Sequence, residues 1–163
     1  MIILGIDPGY AIVGWGVIDY VGNNFKVLDF GAVTTEAHQR FNLRLESIYD
    51  EVCEIIDKYK PSALAIEKVF YNTNAKTVID VSQARGVLLL AAQKKGVEIF
   101  EYTPLQVKQS VVGYGRAEKK QVQEMTRIIL NLQSVPKPDD TAGALAMAIC
   151  HAHASGSLLG RLR

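Results

Sequence analysis

The chain has 163 residues, of which 48% are hydrophobic, and its formal net charge at pH 7 is +1. This length and composition predict one globular domain spanning residues 1–163, with enough apolar side chains for a sizeable core. A net charge near zero excludes a protein that binds polyanions through its overall charge alone. No apolar run is long enough to span a membrane and the amino terminus lacks a basic secretory signal, so we expect a cytoplasmic protein.

Strands and helices are predicted to alternate along the chain. Short apolar runs bounded by turn residues indicate strands, and apolar residues recurring every three or four positions indicate helices. The predicted elements are strands at 2–7, 13–20 and 25–35, a helix at 41–59, a strand at 63–67, a helix at about 75–95, a strand at 97–102, and helices at 104–111, 118–132 and from about 139. This order predicts a mixed five-stranded α/β sheet with helices on both faces.

Acidic residues stand at the polar ends of three otherwise apolar segments. Asp7 ends the first strand, Glu67 ends the fourth, and Asp139-Asp140 opens the last helix. Buried carboxylates are costly unless they share a cation, and oxygen ligands of this kind favour Mg²⁺ or Mn²⁺. We therefore predict a divalent metal site that acts on phosphate. The structural alternatives are that Asp7 caps its own turn and that the aspartate pair caps the helix.

The segment from Arg85 to Arg127 carries a local excess of positive charge. It holds eight lysines and arginines against four glutamates, which gives about +4 there. Lys108 and Lys119 lie in polar helical contexts on either side of Gly113-Tyr114-Gly115. A basic face beside an acidic metal site suits a nuclease, which must hold phosphates near its own carboxylates. Ordinary solvated lysines are the alternative interpretation.

These segments together resemble the RuvC family of Holliday-junction resolvases, and the resemblance covers essentially the whole chain. The motifs that carry it are Gly5-Ile6-Asp7-Pro8-Gly9, Ala65-Ile66-Glu67, Val69-Phe70, Gln83-Ala84-Arg85-Gly86, Gln106-Val107-Lys108-Gln109, Ala117-Glu118-Lys119 and Ala144-Leu145-Ala146. The resemblance implies a ribonuclease-H-like fold and symmetric nicking of two opposed strands of a four-way DNA junction. It also implies a homodimer with helix 75–95 at the interface, and the RuvA–RuvB branch-migration complex as a partner.

Matched position by position, the resemblance assigns roles to six residues. The implied catalytic and metal-binding acids are Asp7, Glu67 and Asp140, and the implied DNA-binding residues are Phe70, Lys108 and Lys119. Two Mg²⁺ ions per active site are expected, with Mn²⁺ as a substitute. The ions would stabilise the attacking and leaving oxygens during hydrolysis.

One position departs from the family pattern. The family's last catalytic carboxylate precedes Ala-Leu-Ala, and that position here is Gly143. Residues 140 and 143 share a helical face, so an acid at 143 would stand beside Asp140. Glycine supplies no ligand and lowers helix stability by about 1 kcal/mol relative to alanine, and the sequence shows no backbone need for it. We therefore predict impaired cleavage unless Asp139 fills the gap.

Other functions remain open beside an active junction endonuclease. A junction-binding dimer that does not cleave would have the same fold, with Gly143 as the discriminating feature. A phosphotransferase or ATPase of the actin-like superfamily shares the turn at Asp7, but it needs a second nucleotide-binding domain. A ribonuclease of related fold leaves Phe70 and the paired lysines without a role.

Overall fold

The computed structural model describes residues 1–9, 11–68 and 76–156. Its strands are β1 (Ile2–Pro8), β2 (Ile12–Val21), β3 (Asn24–Thr34), β4 (Ala63–Glu67) and β5 (Glu98–Tyr102). Its helices are α1 (Phe41–Tyr59), α2 (Val78–Lys94), α3 (Pro104–Val111), α4 (Lys119–Ile129) and α5 (Asp139–Gly156). The strands form one sheet in the order β3-β2-β1-β4-β5. The first three strands pair antiparallel, whereas β1–β4 and β4–β5 pair parallel, so the predicted mixed five-stranded sheet is confirmed.

Alternation of side chains along the strands divides the core into two layers. On one face, Leu4, Ile6 and Ile66 pack in a cluster that includes buried residues of α1 and α2. On the other face, Ile3 and Ala65 pack in a cluster that includes residues of α3, α4 and α5. Helices therefore cover both faces, as predicted. None of the helices in the described residues has the length and apolar content needed to cross a membrane.

Two strand glycines let α5 lie directly on the backbone of the sheet. A β-carbon built on Gly5 would lie 2.0 Å from the carbonyl oxygen of Ala144. A β-carbon built on Gly14 would lie 2.0 Å from the carbonyl oxygen of Asp140. No residue with a side chain fits at either position without moving the helix. This close packing fixes the first turns of α5 beside the end of β1.

The largest differences from the predicted boundaries are at the ends of helices. α2 begins at Val78 rather than near residue 75, which lies outside the described residues. α4 is shorter than the predicted 118–132 at both ends. Glu118 precedes the helix, and its backbone N–H donates to the Gln121 side chain at 2.6 Å. After the helix, Asn131 turns the chain with a φ of 54°. Apolar periodicity does not reveal such caps, because capping depends on backbone conformation.

Candidate active site

Asp7 and Glu67 meet at one end of the sheet because β1 and β4 are parallel neighbours. The register pairs Ile6 with Ile66, so the next residues in line are Asp7 and Glu67. Side chains alternate along a strand, so both carboxylates lie on the face opposite Ile6 and Ile66, which α5 covers. The pairing of these two strands brings both carboxylates to the same end of the sheet.

A cleft of about 280 Å³ contains these two carboxylates. Its walls come from the ends of β1 and β4 and from α3, α4 and α5. Lys108 of α3 and Lys119 of α4 line the cleft together with Asp7 and Glu67, and Gly143 of α5 lies in its wall. The structure thus gathers four of the five predicted site residues that it describes, two acidic and two basic.

Asp140 is a predicted site residue that the described lining of this cleft does not include. Asp140 is half-buried next to the turn after β1 rather than on the described wall of the cleft. Its Oδ2 atom lies 3.0 Å from the place that a β-carbon on Gly9 would take. Helical spacing put Asp140 at the correct end of α5 but does not give the direction of its side chain. Phe70 lies outside the described residues, so its insertion into the junction stays a prediction.

Burial and like charge disfavour ionisation of the three acids. Burial, followed by the charges of Asp140 and Glu67, raises the pKa of Asp7 to about 7, and Lys119 opposes this shift. Burial raises the pKa of Glu67, while nearby Lys108 lowers it. Burial also raises the pKa of Asp140, with Lys119 acting in the opposite direction. A divalent cation beside these carboxylates would favour their ionised forms, so their electrostatics fit a metal site.

A hard divalent cation fits the chemistry of these oxygen donors. In the side-chain conformations seen over 1–9, 11–68 and 76–156, however, no three Asp, Glu, His or Cys side chains are grouped to hold one ion. A shared ion therefore requires rotation of Asp7, Glu67 or Asp140 toward one another. Such a rotation moves a carboxylate between staggered conformations without displacing the backbone.

Gly143 faces the carboxyl group of Asp7. A β-carbon built on Gly143 would lie 2.2 Å from Asp7 Oδ2 and 3.1 Å from Asp7 Cγ. The Asp7 carboxyl group therefore occupies the space that any other side chain at 143 would enter. Gly143 lies within α5 and is not among the glycines with a positive φ, so its backbone does not require glycine, as expected. A side chain at 143 would require the Asp7 carboxyl group to rotate.

Asp139 is engaged by two lysines. Its Oδ2 atom lies 3.5 Å from Lys119 Nζ, and its Oδ1 atom lies 3.7 Å from Lys137 Nζ. The charge of Lys119 in particular holds the pKa of Asp139 below its ordinary value. The acids whose charges raise the pKa of Asp7 are Asp140 and Glu67. Asp139 lines the same cleft as Asp7 and Gly143, and its contacts in this conformation are with the lysines, so its replacement of an acid at 143 stays a prediction.

Two residues with no role assigned from the sequence also shape the site. Arg85 of α2 donates from Nε to the carbonyl oxygen of Glu67 at 3.2 Å, and its Nη2 atom lies 2.5 Å from Glu101 of β5. These contacts tie the end of β4 to β5 and fix the backbone that carries Glu67. Gln123 lines the cleft one helical turn after Lys119. Gln123 could have been found from the sequence, because residues four apart on a helix share one face and Lys119 was already a candidate. The partners of Arg85 could not, because they lie on strands that are distant from it in sequence.

Comparison with known proteins agrees with this geometry. The family model described as crossover junction endodeoxyribonuclease RuvC matches residues 3–151. The chain is 59% identical over 165 residues to the crossover junction endodeoxyribonuclease RuvC of Ruminiclostridium cellulolyticum, and the match covers 100% of this chain and 99% of that protein.

Solved structures of Thermus thermophilus RuvC are also similar. One matches with a TM-score of 0.88 at 35% identity, covering 95% of each chain. Another, RuvC in complex with Holliday junction substrate, matches with a TM-score of 0.88 at 32% identity, covering 98% of each chain. The chain therefore belongs to the RuvC family of crossover junction endodeoxyribonucleases.

Proposed function

We propose that this chain, as a single domain of residues 1–163, resolves four-way DNA junctions by metal-dependent phosphodiester hydrolysis in recombination and repair. The observation that carries the proposal is the convergence of Asp7, Glu67, Lys108 and Lys119 in one cleft. Paired acids alone suit many metal-dependent enzymes, and the lysines beside them add the charge that a phosphodiester substrate needs. The similar Thermus thermophilus RuvC, solved with a Holliday junction, supports this substrate.

Mg²⁺, with Mn²⁺ as a substitute, is the proposed cofactor, at two ions per active site. When bound, the ions would supply an activated water and stabilise charge on the leaving oxygen. Asp7, Glu67 and Asp140 would hold them. Asp7 has the central place among the three, because the charges of both other acids act on it. Asp7 would therefore hold the metal together with both of the other acids.

The two lysines would hold the phosphate backbone beside the acids. Lys108 is half-buried on α3 and acts electrostatically on Glu67. Lys119 is more accessible, with 71% of its side chain exposed, and its charge acts on Asp7 and Asp140. Its pairing with the half-exposed Asp139 is weak, because solvent screens ion pairs at the protein surface. A DNA phosphate can therefore take the place of Asp139 beside Lys119.

We expect Lys119→Ala to weaken junction binding and to lower the slope of log affinity against log salt concentration by about one, because one phosphate contact is lost. The measurement is a titration of a labelled four-way junction at several salt concentrations. Lys58→Ala is the matched control, because Lys58 is an exposed cation far from the cleft. It lies near the end of α1, and the chain enters β4 soon afterwards, at the end of the sheet opposite Glu67. An unchanged slope for Lys119→Ala would make Lys119 a solvated surface residue.

We also propose that the protein is a homodimer that pairs through α2. Ile79 and Leu90 of α2 are large apolar residues that are 66% and 53% exposed. Gln83 and Gly86 lie between them, and the spacing of four, three and four residues puts all four on one helical stripe. A β-carbon on Gly86 would meet no atom within 4 Å. An exposed stripe of this kind suits close packing against a second helix. The RuvA–RuvB complex is proposed as a further partner from family membership alone.

We expect Leu90→Glu to convert the dimer to a monomer at micromolar concentration, because a buried unpaired carboxylate at the interface costs several kcal/mol. Sedimentation equilibrium measures this change directly. Ile128→Glu is the control, because Ile128 of α4 is also 53% exposed but lies on a different helix. A Leu90→Glu variant that remains dimeric would place the interface elsewhere.

Junction binding without cleavage is the second candidate function, and Gly143 is the observation that favours it. The two functions separate in one assay on a synthetic four-way junction with Mg²⁺, in which binding and strand cleavage are followed together. Selective binding with cleavage that depends on Asp7 supports the nuclease. Selective binding with no cleavage supports the binding protein. Equal affinity for a linear duplex of the same sequence contradicts both.

A further inference from the structure

The turn between α3 and α4 exposes an unusual combination of side chains. Tyr114 is 54% exposed, and Leu105, in the first turn of α3, is 53% exposed. Arg116 is also exposed, two residues after the tyrosine. A β-carbon on Gly115 would lie 2.6 Å from Leu105 Cδ1, so the leucine packs against this turn. We call Leu105, Tyr114 and Arg116 the turn surface.

Backbone hydrogen bonds hold the turn surface in a defined conformation. The Gly113 N–H donates to the carbonyl oxygen of Gln109 at 2.9 Å, which ends α3, and Gly113 has a φ of 83°. The Ala117 N–H donates to the carbonyl oxygen of Tyr114 at 3.2 Å, which closes a four-residue turn. Ala117 itself is only 2% exposed and anchors the turn in the core. The exposed side chains are therefore presented on ordered backbone, which lowers the entropic cost of binding.

The turn surface adjoins the cleft and shares its basic charge. The turn joins the two helices whose lysines, Lys108 and Lys119, line the cleft. Residues 116–120 contain three cations and one acid. Within the described part of the chain, no carboxylate forms an ion pair with Arg116 or Lys120. The surface thus complements a polyanion that extends beyond the cleft.

We infer that the turn surface is a second DNA contact, which binds the duplex arm next to the scissile phosphate. Arg116 contacts a backbone phosphate, while Tyr114 and Leu105 pack against the sugar and base edge of the same nucleotide. Arginine beside apolar side chains suits this task, because the backbone of a duplex presents each phosphate next to the apolar edge of a sugar. The inference rests on the proposed function and extends it to residues that would position the arm.

The test is a titration of a labelled four-way junction with the full chain in EDTA, where cleavage is prevented. We expect Tyr114→Ala to weaken binding about 10-fold, which is typical of losing an aromatic contact to a nucleotide. We expect Arg116→Ala to lower the salt slope by about one, and Arg116→Lys to keep the natural slope because it keeps the charge. Ile128→Ala and Lys58→Ala serve as matched controls for an exposed apolar residue and an exposed cation.

The outcomes separate this inference from the proposed function. If the natural chain binds the junction no better than a linear duplex, the proposed function fails. If it prefers the junction, but Tyr114→Ala and Arg116→Ala both bind with natural affinity and salt slope, the turn surface serves a partner other than DNA and the inference is overturned. Thermal unfolding of each variant identifies a structural defect. If Tyr114→Ala lowers the unfolding temperature, the salt slopes of Arg116→Lys and Arg116→Ala decide whether the turn surface binds DNA.

Discussion

We expect the Gly143→Asp variant to cleave a four-way junction at least about 100-fold faster than the natural chain. Mutation of residues that merely orient metal ligands lowers metal affinity or activity by about 10–100-fold, so a ligand itself should matter at least as much. The substitution puts a carboxylate on the same face of α5 as Asp140, opposite Asp7. The new β-carbon would stand 2.2 Å from the present position of Asp7 Oδ2, so the Asp7 carboxyl group must rotate. Single-turnover cleavage with Mg²⁺ or Mn²⁺ measures the gain.

Gly143→Ala separates the two effects of that substitution. It adds the same β-carbon and displaces the Asp7 carboxyl group in the same way, but it supplies no ligand. We expect Gly143→Ala to remain as slow as the natural chain. Equal rates for all three proteins would show that residue 143 does not limit cleavage. Equal acceleration by alanine and aspartate would show that the limit is the conformation of Asp7 and not a missing carboxylate.

Asp7→Asn is expected to abolish cleavage while leaving junction affinity within about 3-fold, because the lysines supply the phosphate contacts. Asparagine keeps the size of the side chain and removes the charge that a metal ion requires. Cleavage and binding of the same labelled junction are measured in parallel with the natural chain. A variant that lost junction binding together with cleavage would contradict a purely catalytic role for Asp7.

Asp7→Asn should also stabilise the metal-free protein at high pH. The folded-state pKa of Asp7 is raised from 3.8 to about 7, so the folded state holds a proton there that the unfolded state releases. The natural chain therefore loses stability relative to the variant from about pH 4 to pH 7, and the loss is complete above pH 7. A rise of the pKa from 3.8 to about 7, at about 1.4 kcal/mol per pKa unit, gives a difference of roughly 4 kcal/mol at pH 8.

Denaturant unfolding at pH 5 and pH 8 in EDTA tests this linkage. The free energy of unfolding of the variant should exceed that of the natural chain by a wider margin at pH 8 than at pH 5. Added Mg²⁺ should narrow the margin, because the ion stabilises the ionised carboxylate of the natural chain only. A margin that is the same at both pH values would mean that Asp7 ionises normally in the folded protein.

The sheet and its two acid-bearing strand ends could be predicted from the sequence because local patterns specify them. The apolar run before Asp7 and the run before Glu67 each indicate a buried strand, and the order of elements limits how such strands pair. Both predictions are confirmed by the parallel pairing of β1 with β4. The helical spacing that indicated α5 also gave its start at Asp139.

Side-chain directions within the site could not be predicted, because they depend on contacts between distant segments. Asp140 and Asp139 are adjacent in sequence, yet one lies against Gly9 and the other pairs with Lys119. The contact between Gly143 and Asp7 joins residues 136 positions apart. No pattern in either segment reveals that contact, which became visible only when the fold placed β1 under α5.

Junction cleavage at the Asp7 cleft is tested most directly by mapping the nicks that the natural chain and Asp7→Asn make in a four-way junction with Mg²⁺. For the natural chain we predict slow nicks at equivalent positions in two opposed strands and an intact linear duplex of the same sequence. For Asp7→Asn we predict no nicks. Nicks that persist in Asp7→Asn would show that the cleft around Asp7 and Glu67 is not the nuclease site. A linear duplex cleaved as readily as the junction would contradict the proposed substrate.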